Sequence, residues 1–181
     1  MTNSKIVIKL GGGLITDKTQ LKTIRENRIK AVCEVLSEII ENGDSVILVH
    51  GAGSFGHLEA KKWSLATGYN SEIIEQQRDA VVKVRNDMLE LNKYILDHLE
   101  QCGVSGSSHP PSLWASGLGS NFNGDISRFE KNVPGTIQIT FGDVVDVLDE
   151  REFGILSGDD LMVRLCNEIQ DISHCIFLLG D

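Results

Sequence analysis

Val46-Ile47-Leu48-Val49-His50-Gly51-Ala52-Gly53-Ser54-Phe55-Gly56-His57 is the stretch whose reading decides the fold. The apolar run from Ser45 to Val49 reads as a buried strand. It breaks into a glycine-dense turn, and a helical pattern follows from Leu58. Glycines let the backbone approach a ligand closely and take positive φ without a Cβ clash. Free N–H groups at such a turn, and at the helix start behind it, favour an anion, most often a phosphate. His57 falls where its ring reaches the same anion.

The same pattern repeats upstream. Ile6 to Leu10 is an apolar strand interrupted by Lys9, and Gly11-Gly12-Gly13 follows, then Leu14-Ile15-Thr16-Asp17-Lys18. This is a second candidate phosphate loop. It is not a Walker A loop, since no Gly-Lys-Ser/Thr closes the frame. Helical spacing predicts an amphipathic helix from Arg25 to Asn42, one from about Leu58 to Ala66, and a long one from Ser71 to Gln101. The stripe Ile74, Val81, Val84, Met88, Leu91, Ile95 and Leu99 reads first as core packing. A second reading makes part of it the wall of an apolar substrate groove.

Val104 to Asp125 is turn-rich, with Phe122-Asn123-Gly124-Asp125 read as a hairpin tip. Strands are expected at Thr136 to Thr140, around Val144 to Val147, ending at Leu156, and from Cys175 to Leu179. A helix from about Leu161 to Ile169 follows Ser157-Gly158, with Asp159 or Asp160 as its cap. Alternation of this kind implies an α/β fold: a three-layer αβα sandwich on a mainly parallel sheet, with a β-hairpin insertion. The turns at Gly11, Gly51 and Gly158 and the end at Gly180 are expected to converge on one sheet edge. Residues 1–181 read as a single domain. A strand running straight into the terminus raises the expectation of a further C-terminal part.

The formal net charge of −9 over 181 residues argues against a nucleic-acid or anionic-membrane surface. Cys33, Cys102, Cys166 and Cys175 form no C-x-x-C pair and are expected to be reduced, as in a cytoplasmic protein, with no disulfide or zinc framework. No apolar run approaches the ~20 residues that span a bilayer. No signal peptide is expected, because the N-terminus leads straight into a strand. His50 is expected to cap its turn. His98, His109 and His174 lack partners at ligand spacing, so no metal site built from protein side chains is expected. The Asp159-Asp160 pair either orients the lysines or caps a helix.

At these residues the chain resembles a known family. Lys9-Leu10-Gly11-Gly12-Gly13 with Ile15-Thr16-Asp17-Lys18, then His50 to His57, then Ser157-Gly158-Asp159-Asp160, are similar to the amino acid kinase superfamily. Within it, the Gly-Ser-Phe-Gly-His and Ile-Thr-Asp-Lys strings resemble isopentenyl phosphate kinases of the archaeal type. The resemblance implies an open αβα sandwich, usually a homodimer, that uses ATP and Mg²⁺ to convert isopentenyl phosphate to the diphosphate. It implies that Lys9, Leu10, Gly11, Gly12, Gly13 and Gly53 hold nucleotide phosphates, and that Lys18 neutralises the transferring group. It implies that Ala52, His57 and Gly158 hold the substrate phosphate, with Lys9, Lys18 and His57 as the catalytic set. Asp181 matches the start of the nucleotide-binding segment, which is expected to continue beyond it. Two positions depart from the family pattern: Gly13 stands where a serine is usual, and Ala52 where a glycine is usual. Neither change removes a backbone N–H.

The residue types suit that chemistry. A phosphate monoester is already anionic near pH 7 and needs no general base, so the difficulty is bringing two polyanions together. Two like charges ~4 Å apart repel by about 4 kcal/mol at an effective dielectric of ~20. Lysines, a donating histidine and Mg²⁺ offset that repulsion. Rival readings are another small-molecule kinase of the superfamily, a non-catalytic sensor on the same fold, and a dinucleotide-binding oxidoreductase. The last fits Gly51-Ala52-Gly53-Ser54-Phe55-Gly56 but wants a strand ending in an acid roughly 20 residues on, where Glu72 to Glu75 read as helix.

Overall fold

In the computed structural model, residues 4–180 are described. Strands β1 (Lys5–Leu10), β2 (Ser45–His50), β3 (Ser105–Ser108), β6 (Thr136–Phe141) and β9 (Ile172–Leu178) form one sheet in the order β3-β6-β2-β1-β9. Every pairing in it is parallel. A smaller sheet, β5-β4-β7-β8, joins β4 (Ala115–Ser116), β5 (Asn123–Gly124), β7 (Asp143–Asp146) and β8 (Phe153–Leu156). The helices are α1 (Gly12–Ile15), α2 (Glu26–Glu41), α3 (Gly53–Lys62), α4 (Ile74–Gln101) and α5 (Gly158–Glu168).

The period of two along each strand sorts side chains into two cores. Ile8, Leu10, Val46 and Leu48 pack under α2, α3 and α4, together with Val84, Met88 and Leu91. Val7, Ile47 and Val49 face the other way, onto Leu161, Met162 and Leu165 of α5. Helices on both faces of a parallel sheet make the expected sandwich. Lys9 has the parity of Val7, so β1 delivers it to the α5 side at the strand's C-terminal end.

Several expectations need correction. The second helix starts at Gly53 and ends at Lys62, with a 3-10 turn at Leu65–Thr67 beyond it. Gly56 belongs to this helix, and glycine suits it because a Cβ there would meet Ala52 Cβ at 2.7 Å and Met88 Sδ of α4 at 3.3 Å. The Gly12-Gly13 segment is likewise a helical turn, not an open loop. The stretch around Val144 leaves the parallel sheet and pairs antiparallel with β8 in the smaller one. Asn123-Gly124 is a strand paired with Ala115–Ser116, so the tip lies earlier, between those strands. Strand β3 has the sequence Ser-Gly-Ser-Ser and carries no strand propensity of its own; its pairing with β6 makes it a strand. The cap of α5 is Ser157, not an aspartate. Cys166 of α5 and Cys175 of β9 pair as a disulfide, with Cα atoms 6.7 Å apart, where reduced thiols were expected. Helix, turn and strand bring them together, which a spacing rule does not register. Cys33 and Cys102 are free.

Candidate active site

Register sets the glycine turns side by side. Leu10 pairs with His50, and His50 with Phe141, so Gly11, Gly51 and Gly142 leave the sheet at one level. The turns then touch. A Cβ on Gly12 would lie 2.4 Å from the Gly53 nitrogen, and one on Gly142 would lie 3.2 Å from the Gly158 nitrogen. Gly53 itself holds φ +49, with Thr16 Oγ1 2.0 Å from where a Cβ would sit, so only glycine fits there. Buried Thr16 locks the two turns together: its hydroxyl donates to Gly12 O at 2.7 Å and accepts from Ser54 N–H at 2.9 Å.

These turns open on a cavity of about 550 Å³. Lys9, Gly12, Ala52, His57 and Gly158 all border it, and Lys61, Asp143 and Asp159 add charge. Its apolar wall includes Val84, Met88, Val144 and Ile155. Of the α4 stripe, Val84 and Met88 are buried and also line this cavity, while Leu91, Ile95 and Leu99 are core only.

Lys9 Nζ donates to Asp159 Oδ1 at 2.6 Å; the lysine side chain is 10% exposed and the aspartate 71%. Asp160 accepts from Ser157 Oγ at 2.7 Å and completes a capping box at the start of α5. The two adjacent aspartates thus divide the alternatives: Asp159 orients the lysine, and Asp160 closes the box on the Ser157 cap. His57 lies one turn into α3, and its Nδ1–H donates to Gly53 O at 3.0 Å. A carbonyl only accepts, so Nδ1 carries a proton, and Nε2, open to a ligand, holds an anion only by donating, with the ring protonated at both nitrogens. The leading N–H groups of α3 and α5 have no intrahelical partner, and those of Ala52, Gly53 and Gly158 find no other among the described residues.

Leu10, Gly11, Gly13 and Gly53 lie behind the cavity, not on it. Lys18 also stays off its wall, its side chain lying across Gly13. Asp181 lies outside the described residues. Sequence reasoning missed Lys61, although it stands one helical turn from His57, and it missed Asp143. Burial pushes the Asp143 carboxyl above its usual range, against N–H donors from Ser112 at 3.1 Å and Val144 at 2.8 Å. His50 is structural, as expected. It is fully buried, stacked on Phe141, bonded to Gly51 O and facing the Asn92 amide, and burial pushes it down to about 4. Among the described residues no three His, Cys, Asp or Glu side chains gather to hold a metal ion. Residues 71–73 precede α4 without a strand, so the acid-ended strand of a dinucleotide-binding fold does not occur where it would be needed.

Known proteins share this sequence pattern and fold. Residues 4–178 match the amino acid kinase family. Over 161 residues the chain is 32% identical to isopentenyl phosphate kinase of Thermoplasma acidophilum, covering 88% of this chain and 61% of that protein. The corresponding enzyme of Methanothermobacter thermautotrophicus is 30% identical over 162 residues, covering 87% of this chain and 60% of that protein. A solved isopentenyl phosphate kinase superposes with a TM-score of 0.84 at 28% identity, covering 96% of this chain and 70% of that one. A substrate complex of such a kinase superposes with a TM-score of 0.82 at 30% identity, covering 97% and 68%. The chain spans about three fifths of the length of the curated relatives it matches. On its sequence match, its parallel sheet and its converging glycine turns, this chain belongs to the amino acid kinase family.

Proposed function

We propose that the protein phosphorylates isopentenyl phosphate, taking the γ-phosphate of ATP and forming isopentenyl diphosphate. One observation carries the reading. A single cavity is lined both by Lys9, His57 and the start of α5 and by the apolar side chains Val84, Met88, Val144 and Ile155. That pairing suits a phosphate on a short branched hydrocarbon. In this reading His57, as an imidazolium donating from Nε2–H, and the N–H groups at Ala52 and Gly158 hold the substrate phosphate. Lys9, kept in place by Asp159, neutralises charge between the two phosphates. Lys18 and the turn Leu10 to Gly13, with Gly53, serve the nucleotide side, which Asp181 would continue. Residues 1–181 are then the substrate-binding portion of the kinase domain. Mg²⁺ suits this site as a companion of the nucleotide: one exposed carboxylate, Asp159, is already engaged by Lys9, so phosphate oxygens and water would supply most of its ligands. The homodimer rests on the family resemblance; the cytoplasmic setting rests on reduced cysteines, a ground that the Cys166–Cys175 bond weakens.

The test is ADP release by the whole protein with and without isopentenyl phosphate. Release that depends on the monophosphate supports the reading, and none overturns it. His57→Ala is expected to raise KM for the monophosphate about tenfold or more, as for a lost charge-assisted bond of about 1.5–3 kcal/mol, with little change for ATP. An unchanged KM would remove His57 from the substrate site.

A further inference from the structure

Between α1 and α2 the chain doubles back on itself. Thr16 and Ile24 form an antiparallel bridge, and Asp17 N–H donates to Thr23 O at 2.8 Å. At the tip, the Asp17 carboxylate accepts from the Thr19 N–H at 2.9 Å and its hydroxyl at 2.6 Å. Lys18 sits on this tip and folds back over the glycine turn. A Cβ built on Gly13 would lie 2.6 Å from Lys18 Cε and 2.9 Å from Nζ. Glycine at 13 therefore leaves the space that the Lys18 ammonium group uses.

The return arm is fastened to the helices. Lys22 takes φ +51, a conformation that a residue with a Cβ keeps only when its surroundings compensate. Its ammonium donates to Asp87 of α4 at 2.9 Å, pairs with Glu90 of α4, and lies 5.7 Å over the Phe55 ring of α3. The Glu90 and Asp87 carboxylates, in that order, hold the ammonium above its usual range. Buried Asp87 also accepts from Lys83 at 3.0 Å, and Lys83 reaches Glu59 of α3 at 3.3 Å. The Thr23 N–H reaches Ser54 Oγ at 3.3 Å. One arm of the loop is thus ion-paired to α4 and hydrogen-bonded to α3, while the other carries a flexible lysine.

We infer that Lys22, through Asp87 and Glu90, is a positioning residue that holds the 17–23 loop so that the Lys18 ammonium stays over the Gly13 turn. The inference deepens the kinase reading and rests on it. Phosphoryl transfer depends on placing charge to within about 1 Å, and a misplacement of that size costs on the order of a hundredfold. A loose loop would spread the Lys18 ammonium over several times that distance.

The test compares Lys22→Met, Lys22→Arg and Lys83→Met with the wild type in the whole protein. Three readouts are taken: kcat and KM for isopentenyl phosphate, the rate of tryptic cleavage after Lys18, and the thermal midpoint. Lys22→Met is expected to lower kcat about tenfold or more, with KM for isopentenyl phosphate within about twofold and faster cleavage after Lys18. Lys22→Arg keeps the cation and restores both readouts. Lys83→Met removes the other partner of Asp87 without touching the loop and changes neither. Unchanged kcat and cleavage in Lys22→Met overturn the inference. So does a fall in kcat that Lys83→Met reproduces in step with the thermal midpoint. A wild type without ADP release overturns the kinase reading itself. A wild type that turns over beside an indifferent Lys22→Met overturns only the positioning role.

Discussion

Two histidines close to one turn are put to opposite uses. His50 ends a strand inside the sandwich, so its ring is sealed against Phe141 and Asn92 and stays neutral. His57 begins a helix at the surface, so one nitrogen is tied to Gly53 O and the other is open. The buried ring has a consequence for stability. Its value falls from an ordinary 6.5 to about 4 on folding. Between those limits the unfolded chain takes up a proton that the folded chain refuses, so stability is present above pH 6.5 and is lost as pH falls toward 4. The loss from this group is about 3 kcal/mol by pH 4. Asp143, raised by burial, works with the opposite sign. The check is therefore a difference: urea unfolding from pH 7.5 to 4.5 should show a shallower pH dependence in His50→Asn than in the wild type. Equal slopes would refute the assignment.

At the scale of elements, the first turn of α5 does two jobs with neighbouring residues. Ser157 and Asp160 close the capping box, while Asp159 turns outward to Lys9. Substitutions should separate them. Ser157→Ala is expected to cost about 1 kcal/mol of unfolding free energy, as for other lost N-caps, measured by denaturant titration. Asp159→Asn should leave stability within about 1 kcal/mol, because its carboxylate is mostly exposed and such ion pairs contribute little. Its turnover should fall, since Lys9 then loses the group that aims it. Equal effects of the two changes on stability and on turnover would count against this division. The sequence already offered both roles for the aspartate pair. It could not divide them, because the division depends on which carboxylate faces β1.

At the scale of the molecule, α5 and β9 are joined by the Cys166–Cys175 bond across nine residues. A loop of that length corresponds to about 2–3 kcal/mol of chain entropy. Cys175→Ser should lower the unfolding free energy by that amount under oxidising conditions and leave it unchanged in excess reductant. No difference in either condition would mean that the thiols do not pair in solution. Cys33 should stay silent to thiol reagents in the folded state, since burial pushes it up to about 12. The disulfide escaped the sequence because a helix, turn and strand fold its two nearby cysteines together, and strand β3 escaped it because its Ser-Gly-Ser-Ser sequence becomes a strand only beside β6.

What the sequence determined by itself was local and periodic. The strand-glycine-helix punctuation at Leu10 and at His50, the stripe along α4 and the alternation of element types settled an α/β sandwich with its glycine turns on one edge. Only the tertiary structure decided which side chains share the cavity. Lys61 and Asp143 joined Lys9, His57 and Gly158 there, Lys18 was laid over Gly13, and Lys22 was tied to Asp87. The physical reason is one of direction and range: periodicity says which face a residue takes within its element, whereas which cavity that face opens on is set by packing between elements that meet only once the sheet has formed.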